Sequence, residues 1–389
     1  MTFTFLENLI QQKQTDIKKW VEKKQSDIQL PIFTSVDIRN AGFKVAHVDA
    51  NLFPAGFNNL SNNGEKKAVQ LVQEYLNKHF PGAKKVLVIP ENFTRNLKYL
   101  ESLARLKGII MEAGFEVLVG SPYNDGIVKI DHPKYFEVLP LLRKDNLIMT
   151  SNNWVPDIIV LNNDLTTGLP EIFQDCKQPL IPHPNLGWFQ RRKHQHFAAY
   201  DEIAREFAEH FDFDPWLISA YFENCGTIDF RHRQGLECLA KSVDSIIEKV
   251  RLKYNAYSIK AEPYVFIKAD MGTYGLGVMT ARSSEDILNI NKKHRHSMQV
   301  IKHGVHNTEI MIQEGIPTAE DHEGFPAESL IYMVSGKVIG NIMRWNKEHD
   351  DRSNLNAHGM VLSAADIDHY SIKSVIGELA ALAVTKEIS

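Results

Sequence analysis

Residues 266–278 read FIKADMGTYGLGV, an apolar strand that carries one lysine and runs directly into a glycine-rich turn. Gly272, Gly275 and Gly277 follow Lys268 in the order G-x-x-G-x-G. Glycines allow a backbone to approach a ligand closely with its amide N–H groups turned toward an anion, and a lysine beside them adds a compact positive charge. The stretch therefore predicts a phosphate-binding hairpin. The alternative is a strand that ends in a structural glycine turn, with Lys268 directed to solvent.

The order of the lysine and the glycines separates this stretch from three other nucleotide sites. A Walker A loop places its lysine after the glycines, whereas here Gly277 is followed by Val278. A dinucleotide fingerprint reads G-x-G-x-x-G and opens a helix, and a protein kinase has its glycine loop before the lysine strand. A strand lysine followed by a glycine-rich hairpin resembles instead the nucleotide site of the ATP-grasp enzymes, which implies ATP as the ligand.

Composition and charge narrow the class of protein. The 389 residues are enough for two domains, and a net charge of -4 lacks the basic excess of a nucleic-acid-binding protein. The three cysteines form no C-x-x-C pair, so neither a disulfide framework nor a structural zinc site is indicated. The N-terminus does not resemble a secretory signal and no apolar run reaches the length of a bilayer span. We expect a cytoplasmic protein that binds neither nucleic acid nor membranes.

The first half of the chain alternates apolar strands with a helix, which predicts a parallel α/β sheet. These segments are the strands KKVLVIPE (84–91), FEVLVGS (115–121), VPDIIVLNND (155–164) and QPLIPHP (178–184), and a helix over 94–113. Two further strands, joined by Ser335-Gly336, predict a hairpin over 328–345. The expected organisation is an N-terminal α/β domain over 1–184 and an ATP-grasp nucleotide-binding domain, similar to that of glutathione synthetase, over 185–389.

Other parts of an ATP-grasp site appear in the expected chain order. Gln313 and Glu314, in the stretch IMIQEGI, resemble the hinge strand that contacts adenine. Lys193 precedes a predicted helix and resembles the second phosphate lysine, although a surface charge in a basic run is the alternative. After the hinge, the spacing R-x7-R-x-N is similar to the arginine segment of the glutathione synthetase-like branch. Its residues are Arg344, Arg352 and Asn354.

Three longer stretches extend the resemblance over nearly the whole chain. They are SVDIRNAGFKVAHVDANLFPAGFNNL (35–60), PNLGWFQRRKHQHF (184–197) and NLNAHGM (354–360). Together they look like a proteobacterial family of glutamate–cysteine ligases with an ATP-grasp fold, unrelated to the glutamate–cysteine ligases of glutamine-synthetase-like fold. The resemblance implies ATP and Mg²⁺ as cofactors, glutamate and cysteine as substrates, and a chain that can form a homo-oligomer.

The resemblance also implies roles for the candidate residues. Lys193, Lys268 and the glycine amides would hold ATP, while Arg344 and Arg352, with Asn354, would hold the γ-phosphate and an acyl phosphate. The substrates are zwitterions, which need a carboxylate ligand and an ammonium ligand. The 35–60 segment offers the following groups: Arg39 for the carboxylate, Asp37 or Asp49 for the ammonium group, and Asn40, Asn58 and Asn59 for orientation. A structural Asn/Gly-rich loop is the alternative.

The metal site departs from the family pattern. Most ATP-grasp enzymes carry magnesium on an aspartate and a late Glu-x-Asn strand, and no such strand occurs near the end of this sequence. Either this family places its metal elsewhere or the chain is cut short. Glu328 and Asn356, with Asp351 and Asn354 as further candidates, are the substitutes expected from residue type, since magnesium prefers oxygen ligands. Two other functions stay open: a different ATP-grasp acid–amine ligase, or a non-catalytic ATP-binding relative.

Overall fold

The computed structural model describes residues 2–92, 96–131, 135–271, 277–299, 309–365 and 369–387. Within these ranges the α-helices are α1 (Thr2–Gln12), α2 (Gln14–Gln25), α3 (Asn62–His79), α4 (Leu97–Glu112), α5 (Lys193–Phe211), α6 (Leu236–Ala256), α7 (Ser284–Leu288), α8 (Lys292–Gln299) and α9 (Ile372–Thr385). The strands are β1 (Phe33–Asn40), β2 (Val45–Asn51), β3 (Lys85–Pro90), β4 (Glu116–Ser121), β5 (Val128–Ile130), β6 (Phe136–Lys144), β7 (Leu147–Thr150), β8 (Ile158–Asn162), β9 (Leu180–Ile181), β10 (Phe222–Thr227), β11 (Val265–Ala269), β12 (Val278–Ala281), β13 (Glu309–Glu314), β14 (Asp321–His322), β15 (Phe325–Val334), β16 (Lys337–Trp345) and β17 (Val361–Ala365).

The predicted parallel sheet is confirmed in the first half of the chain. Its strand order is β5-β6-β4-β3-β8-β9, with β3 parallel to both β4 and β8. Strands such as β3 are buried on both faces, which explains their continuous Val, Ile and Leu runs. The strand predicted over 178–184 is only two residues long, because Pro179 and Pro182 flank it and proline cannot donate to a strand ladder.

The lysine strand lies in a four-stranded antiparallel sheet of order β10-β13-β11-β12. Lys268 on β11 is the register partner of Val278 on β12, so the chain reverses across the glycine segment as the sequence predicted. Gly277 adopts a φ of 62°, in the left-handed region that favours glycine. Gly272 and Gly275 lie outside the described residues. Helix α6 packs on this sheet through its apolar face.

A third sheet joins the two ends of the chain. Its order is β17-β16-β15-β1-β2, and β14 pairs with Phe325 and Pro326 at the start of β15. Strands β1 and β2, from residues 33–51, therefore share a sheet with strands from residues 325–365. Helix α9 packs against β1, β2 and β15 and against α5. Strand pairing thus crosses the boundary drawn at residues 184 and 185, and the two-domain division stays a prediction.

A buried contact at the β1–β2 turn links the sheet that contains β1 and β2 to the sheet that contains β13. Lys44 donates from Nζ to Glu314 Oε1 at 2.8 Å and lies 4.1 Å from the ring centre of Trp216. Burial outweighs the nearby carboxylate and lowers the pKa of Lys44 to about 8. In the part of the chain that the structure describes, no helix has the length and apolarity that crossing a membrane requires.

Candidate active site

Nine residues that the sequence indicated as site residues line one cavity between the β1–β2 hairpin, the lysine strand β11 and the β15–β16 hairpin. They are Asp37, Arg39, Asp49, Lys193, Lys268, Glu328, Arg344, Asn354 and Asn356. The remaining wall is apolar and consists of Val48, Phe266, Ala269, Met271 and Val278. An apolar wall beside converging charges suits a ligand with a planar, weakly polar part and an anionic part.

Two lysines from different elements contact adjacent residues of β2, Val48 and Asp49, in this cavity. Lys193, the first residue of α5, forms an ion pair with Asp49, and its backbone N–H donates to Asp270 O at 2.8 Å just beyond β11. Lys268 Nζ donates to Val48 O at 2.9 Å and to Gln313 Oε1 at 2.7 Å. Contacts with β2 and β13 therefore fix the positions of both ammonium groups.

Burial and charge set the protonation of these groups. Burial lowers the pKa of Lys268 to about 7, although Asp49 acts in the opposite direction. Burial would raise the pKa of Asp49, but Lys193 and Lys268 outweigh it and the pKa is lowered. Near neutral pH, Lys268 therefore stands close to its titration midpoint while Asp49 is ionised.

A β-bulge shapes the strand that carries Asp49. The register pairs Asp37 with Asp49 and then Ile38 with His47, so Val48 is the extra residue on β2. Bulges re-aim side chains and expose backbone groups next to functional sites. Here the bulge presents the Val48 carbonyl to Lys268 and sets the carboxylates of Asp37 and Asp49 opposite each other across the strand pair.

Arginines and carboxylates form a buried network on the other wall. Arg344 Nη1 donates to Asp37 at 2.5 Å and to Glu328 at 2.8 Å, and Arg39 Nε donates to Glu328 at 2.7 Å. Burial would raise the pKa of Glu328, but the two arginines outweigh it and lower the pKa; burial, with Glu328 and Asp49 nearby, raises the pKa of Asp37. Among the described residues, Arg344 Nε is buried without a partner.

The guanidinium of Arg39 is buried and links neighbouring segments of the protein, so it is not open to a ligand. Arg39 is 2% exposed, and beyond Glu328 it donates to Ile316 O at 3.1 Å and to Ser353 O at 2.6 Å. Its donors are thus engaged with the hinge segment and with the loop that carries Asn354. A substrate carboxylate would have to displace these buried contacts, so the geometry does not support Arg39 as the carboxylate ligand.

The three asparagines expected to orient substrate make structural contacts outside the cavity lining. Asn40 Nδ2 donates to Glu320 at 3.3 Å, and its Oδ1 accepts from Gly42 N at 2.9 Å. Asn58 donates to Glu101 at 3.2 Å, and Asn59 donates to Gly56 O at 3.2 Å. At these positions the geometry favours the structural-loop alternative, because the side chains shape turns of the 35–60 segment.

The hinge residues and Arg352 are also placed differently from their expected roles. Glu314 accepts from Lys44, from Trp216 Nε1 at 3.2 Å and from Tyr221 N at 3.0 Å, away from the cavity. The backbone N–H groups of Glu314 and Gly315 donate to Tyr221 O and Tyr264 O, each at 2.7 Å. The half-buried Arg352 guanidinium lies 5.9 Å from the ring centre of Tyr264 and does not line the cavity. Only the Gln313 side chain reaches a cavity residue, Lys268.

The sequence did not lead to Lys44, whose ammonium group donates to the carboxylate of Glu314. The signal was present, since Lys44 is a single lysine inside the apolar run FKVAHV, the same pattern that identified Lys268. For the metal, the described residues contain no group of three or more His, Cys, Asp or Glu side chains suited to an ion. Both oxygens of Glu328 already accept from arginines, so Glu328 does not fit a metal ligand.

The arrangement defines a class of protein. The lysine strand β11 lies in one antiparallel sheet, which faces a second antiparallel sheet across a cavity lined by charged side chains, beside a parallel α/β unit. This is the organisation of an ATP-grasp enzyme, so the predicted fold class is confirmed.

Comparison with known proteins identifies the family. The glutamate–cysteine ligase family model, GshA, matches residues 7–388, so the chain belongs to this family. A solved structure from Methylobacillus flagellatus KT, assigned as a gamma-glutamylcysteine synthetase, is similar: it has 37% identity and a TM-score of 0.91, covering 100% of this chain and 96% of that chain. The predicted family, ligase activity in glutathione biosynthesis and use of ATP are thereby confirmed.

Two other solved structures are far more distant. A glutathione synthetase-like effector from Globodera pallida has 9% identity and a TM-score of 0.38, covering 90% of this chain and 81% of that chain. D-alanyl-alanine synthetase A from Vibrio cholerae has 10% identity and a TM-score of 0.33, covering 75% of this chain and 76% of that chain. A search of curated proteins gives no match.

Because Arg39 links buried segments, its removal should lower the free energy of unfolding more than removal of Arg352 does. We expect Arg39→Ala to lower the free energy of unfolding by about 3–5 kcal/mol, because one partner of a buried ion pair is removed. Arg352→Ala removes a half-buried guanidinium that contacts the Tyr264 ring, and it should cost less than about 1 kcal/mol. Urea unfolding of both variants measures the difference. If the Arg39→Ala protein unfolds like the parent protein but binds glutamate and cysteine poorly, the result would support Arg39 as the ligand of a substrate carboxylate.

Proposed function

We propose that this cavity forms γ-glutamylcysteine in two steps, with ATP phosphorylating the γ-carboxylate of glutamate and the cysteine amino group then displacing phosphate. The observation that carries the proposal is the convergence of Lys193, Lys268 and Arg344 on one cavity in a chain of the glutamate–cysteine ligase family. Phosphoryl transfer requires positioning and charge neutralisation rather than a protein nucleophile. The side chains that line the cavity supply cationic groups of this kind.

Lys193, Lys268 and the glycine segment, with Gly277 at its end, are proposed to hold the ATP phosphates. The two lysines come from the start of α5 and from β11, and hydrogen bonds near Asp270 fix their spacing. An arriving phosphate would compete with Asp49 for Lys193 and would hold Lys268 in its charged form. The apolar wall formed by Phe266, Met271 and Val278 is the proposed surface for the base.

Arg344 is proposed to hold the transferring phosphoryl group. Its Nη1 is fixed by Asp37 and Glu328, while its buried Nε has no partner among the described residues. An arginine anchored at one nitrogen presents the opposite edge of its guanidinium for paired hydrogen bonds to phosphate or carboxylate oxygens. Asn354 lines the same cavity, and Arg352, two residues before it, is proposed as a further anion ligand nearby.

Asp37 and Asp49 fit magnesium better than Glu328 does. They are opposed across β1 and β2 and both line the cavity. Arg344 engages only Oδ2 of Asp37 and Lys193 only Oδ1 of Asp49, whereas both Glu328 oxygens accept from arginines. Like charges directly opposite in a sheet are destabilising, so a cation bound between the two carboxylates would relieve their repulsion. Carboxylate oxygens are suitable ligands for magnesium, which takes further oxygens from water and phosphate. Bound there, the ion would neutralise phosphate charge. Asn356, which lines the same cavity, keeps its place in the proposal as an additional oxygen donor.

With this assignment, fewer side chains of the protein are available to bind the substrates glutamate and cysteine than the sequence predicted. Arg39, Asn40, Asn58 and Asn59 keep their structural contacts, and Asp37 and Asp49 pass from the ammonium role to the metal. The proposed contact for the reacting glutamate carboxylate is Arg344. A cytoplasmic location is part of the proposal, supported by three cysteines that are unpaired in the structure.

The reaction is tested by phosphate release from ATP and magnesium with glutamate alone, cysteine alone and both together. We expect full release only with both amino acids, and a γ-linked dipeptide by mass spectrometry. Release that prefers a different acid or amine in a substrate panel would favour another acid–amine ligase. ATP binding with no release under any condition would favour a non-catalytic relative.

Lys268 predicts a pH dependence of ATP binding. In the free protein Lys268 loses its proton above a pKa of about 7, and bound phosphates favour the ammonium form, so binding takes up a proton. Affinity should therefore fall as pH rises above about 7, by up to about tenfold per pH unit. Calorimetry in buffers of different ionisation enthalpy measures the uptake. Lys268→Arg stays charged and should remove the dependence; an unchanged dependence in that variant would exclude Lys268 as its source.

The proposed metal site predicts different effects for two aspartates. Asp49→Asn should raise the magnesium concentration needed for half-maximal ATP binding by about tenfold or more, since loss of a residue that merely supports a metal ligand already costs about that much. Asp351→Asn changes an exposed carboxylate that does not line the cavity and serves as the matched control. Fluorescence titration with magnesium at fixed ATP measures both. Equal behaviour of the two variants would argue against the Asp37–Asp49 site.

A further inference from the structure

A buried carboxylate, that of Glu387, lies two residues after the end of α9. Glu387 accepts from Arg191 Nε at 2.5 Å, from Arg191 Nη2 at 3.0 Å and from His196 Nδ1 at 2.6 Å. Its side chain is 3% exposed, and the cationic partners lower its pKa to about 2 against the effect of burial. Its neighbour Lys386 instead forms an ion pair with Glu202 on the surface.

The partners of Glu387 bracket Lys193 on α5. Arg191 lies two residues before Lys193, and His196 lies three residues after it, on the first turn of the helix. The ring of Trp188 adds to this end of the network, since the cationic groups of Arg191 and Lys193 lie 4.7 Å and 4.9 Å from its centre. A single carboxylate therefore holds both sides of the proposed phosphate lysine.

The same partners bracket the bulge on β2. Arg191 Nη1 donates to Ala50 O at 2.6 Å, next to Asp49. His196 donates from Nδ1 to Glu387, which leaves its Nε2 as acceptor for His47 Nε2–H at 3.1 Å. The network therefore contacts β2 at residues 47 and 50, on either side of the bulge. Within the bulge, Val48 contacts Lys268 and Asp49 contacts Lys193.

We propose that Glu387 is a positioning residue that sets the spacing of Lys193 and Asp49 for nucleotide and metal, acting through Arg191 and His196. The inference rests on the proposed function in assigning those ligands to the cavity. Buried ionic networks add little net stability compared with apolar packing. Their directional hydrogen bonds, however, fix the relative position of the groups that they join. Here they join three segments that are distant in the sequence.

The test uses Glu387→Gln in the full chain, with Lys386→Gln as control because it changes the adjacent residue, whose ammonium group pairs with Glu202 on the surface. We expect Glu387→Gln to weaken ATP binding at saturating magnesium by about tenfold, or 1.4 kcal/mol, and to raise the magnesium requirement, while the control stays within about twofold. A Glu387→Gln protein with a lower melting temperature but parental ATP and magnesium affinities would overturn the proposal.

A double-variant cycle with Lys193→Gln separates positioning from general stability. If Glu387 acts through Lys193, the loss of ATP affinity caused by Glu387→Gln should largely disappear in the Lys193→Gln background, while any loss in melting temperature should persist. Full additivity in ATP affinity would contradict the proposal. If Lys193→Gln alone leaves ATP affinity unchanged, the proposed nucleotide assignment fails instead.

A third variant covers the case in which Glu387→Gln does not fold. Arg191→Lys keeps the charge but cannot hold both Glu387 oxygens and the Ala50 carbonyl, because a lysine lacks the planar fork of donors. We expect weaker ATP binding in the same direction, by about threefold to tenfold. Parental affinity in a folded Arg191→Lys protein would count against the positioning role.

Discussion

The pairing of β1 with β15 is the constraint on which the rest of the site depends. It inserts residues 33–40 beside residues 325–334 and carries β2 to the edge of the same sheet. Without that pairing, Asp37 and Asp49 would not face Lys268, and Arg39 would not reach Glu328 or the hinge. The cavity is therefore a product of long-range register, in which a hairpin from the start of the chain closes against strands from its end.

Charge in the cavity is nearly balanced before any ligand arrives. Four cationic side chains, Lys193, Lys268, Arg39 and Arg344, face three carboxylates, Asp37, Asp49 and Glu328. Arg39 and Glu328 are paired with each other, whereas Arg344 keeps an unpartnered buried Nε within the described residues. A bound phosphate adds negative charge beside the lysines and thereby favours a cation between the aspartates. The proposed nucleotide and metal sites are thus electrostatically coupled, because each ligand repairs the imbalance that the other creates.

The sequence predicted the parts of the site that depend on local chain order. Lys268 was recognisable because a lone lysine in an apolar strand precedes glycines, and Arg344 because of its spacing to Arg352. The contacts of Arg39 could not be found in this way, since its partner Glu328 is 289 residues away and their pairing depends on the register of β1 and β15. The parallel sheet was predictable because its strands are continuous apolar runs. In the sheet that joins β1 and β2 to β15–β17, only the β15–β16 hairpin had a local signal, and its pairing with β1 had none.

The position of the proposed metal ligands follows from the same topology. The usual ATP-grasp pattern has acidic ligands on a strand late in the sequence, but a metal site requires only that the ligand strand lie in the right sheet. Strand β2 comes early in the sequence but lies in the sheet of β15 and β16 and carries Asp49 on a bulge. The end of the chain contributes differently, because Glu387 holds both β2 and the start of α5 through Arg191 and His196. In the proposed site the early hairpin thus offers the metal ligands, and the proposed role of the late residues is to fix the positions of those ligands.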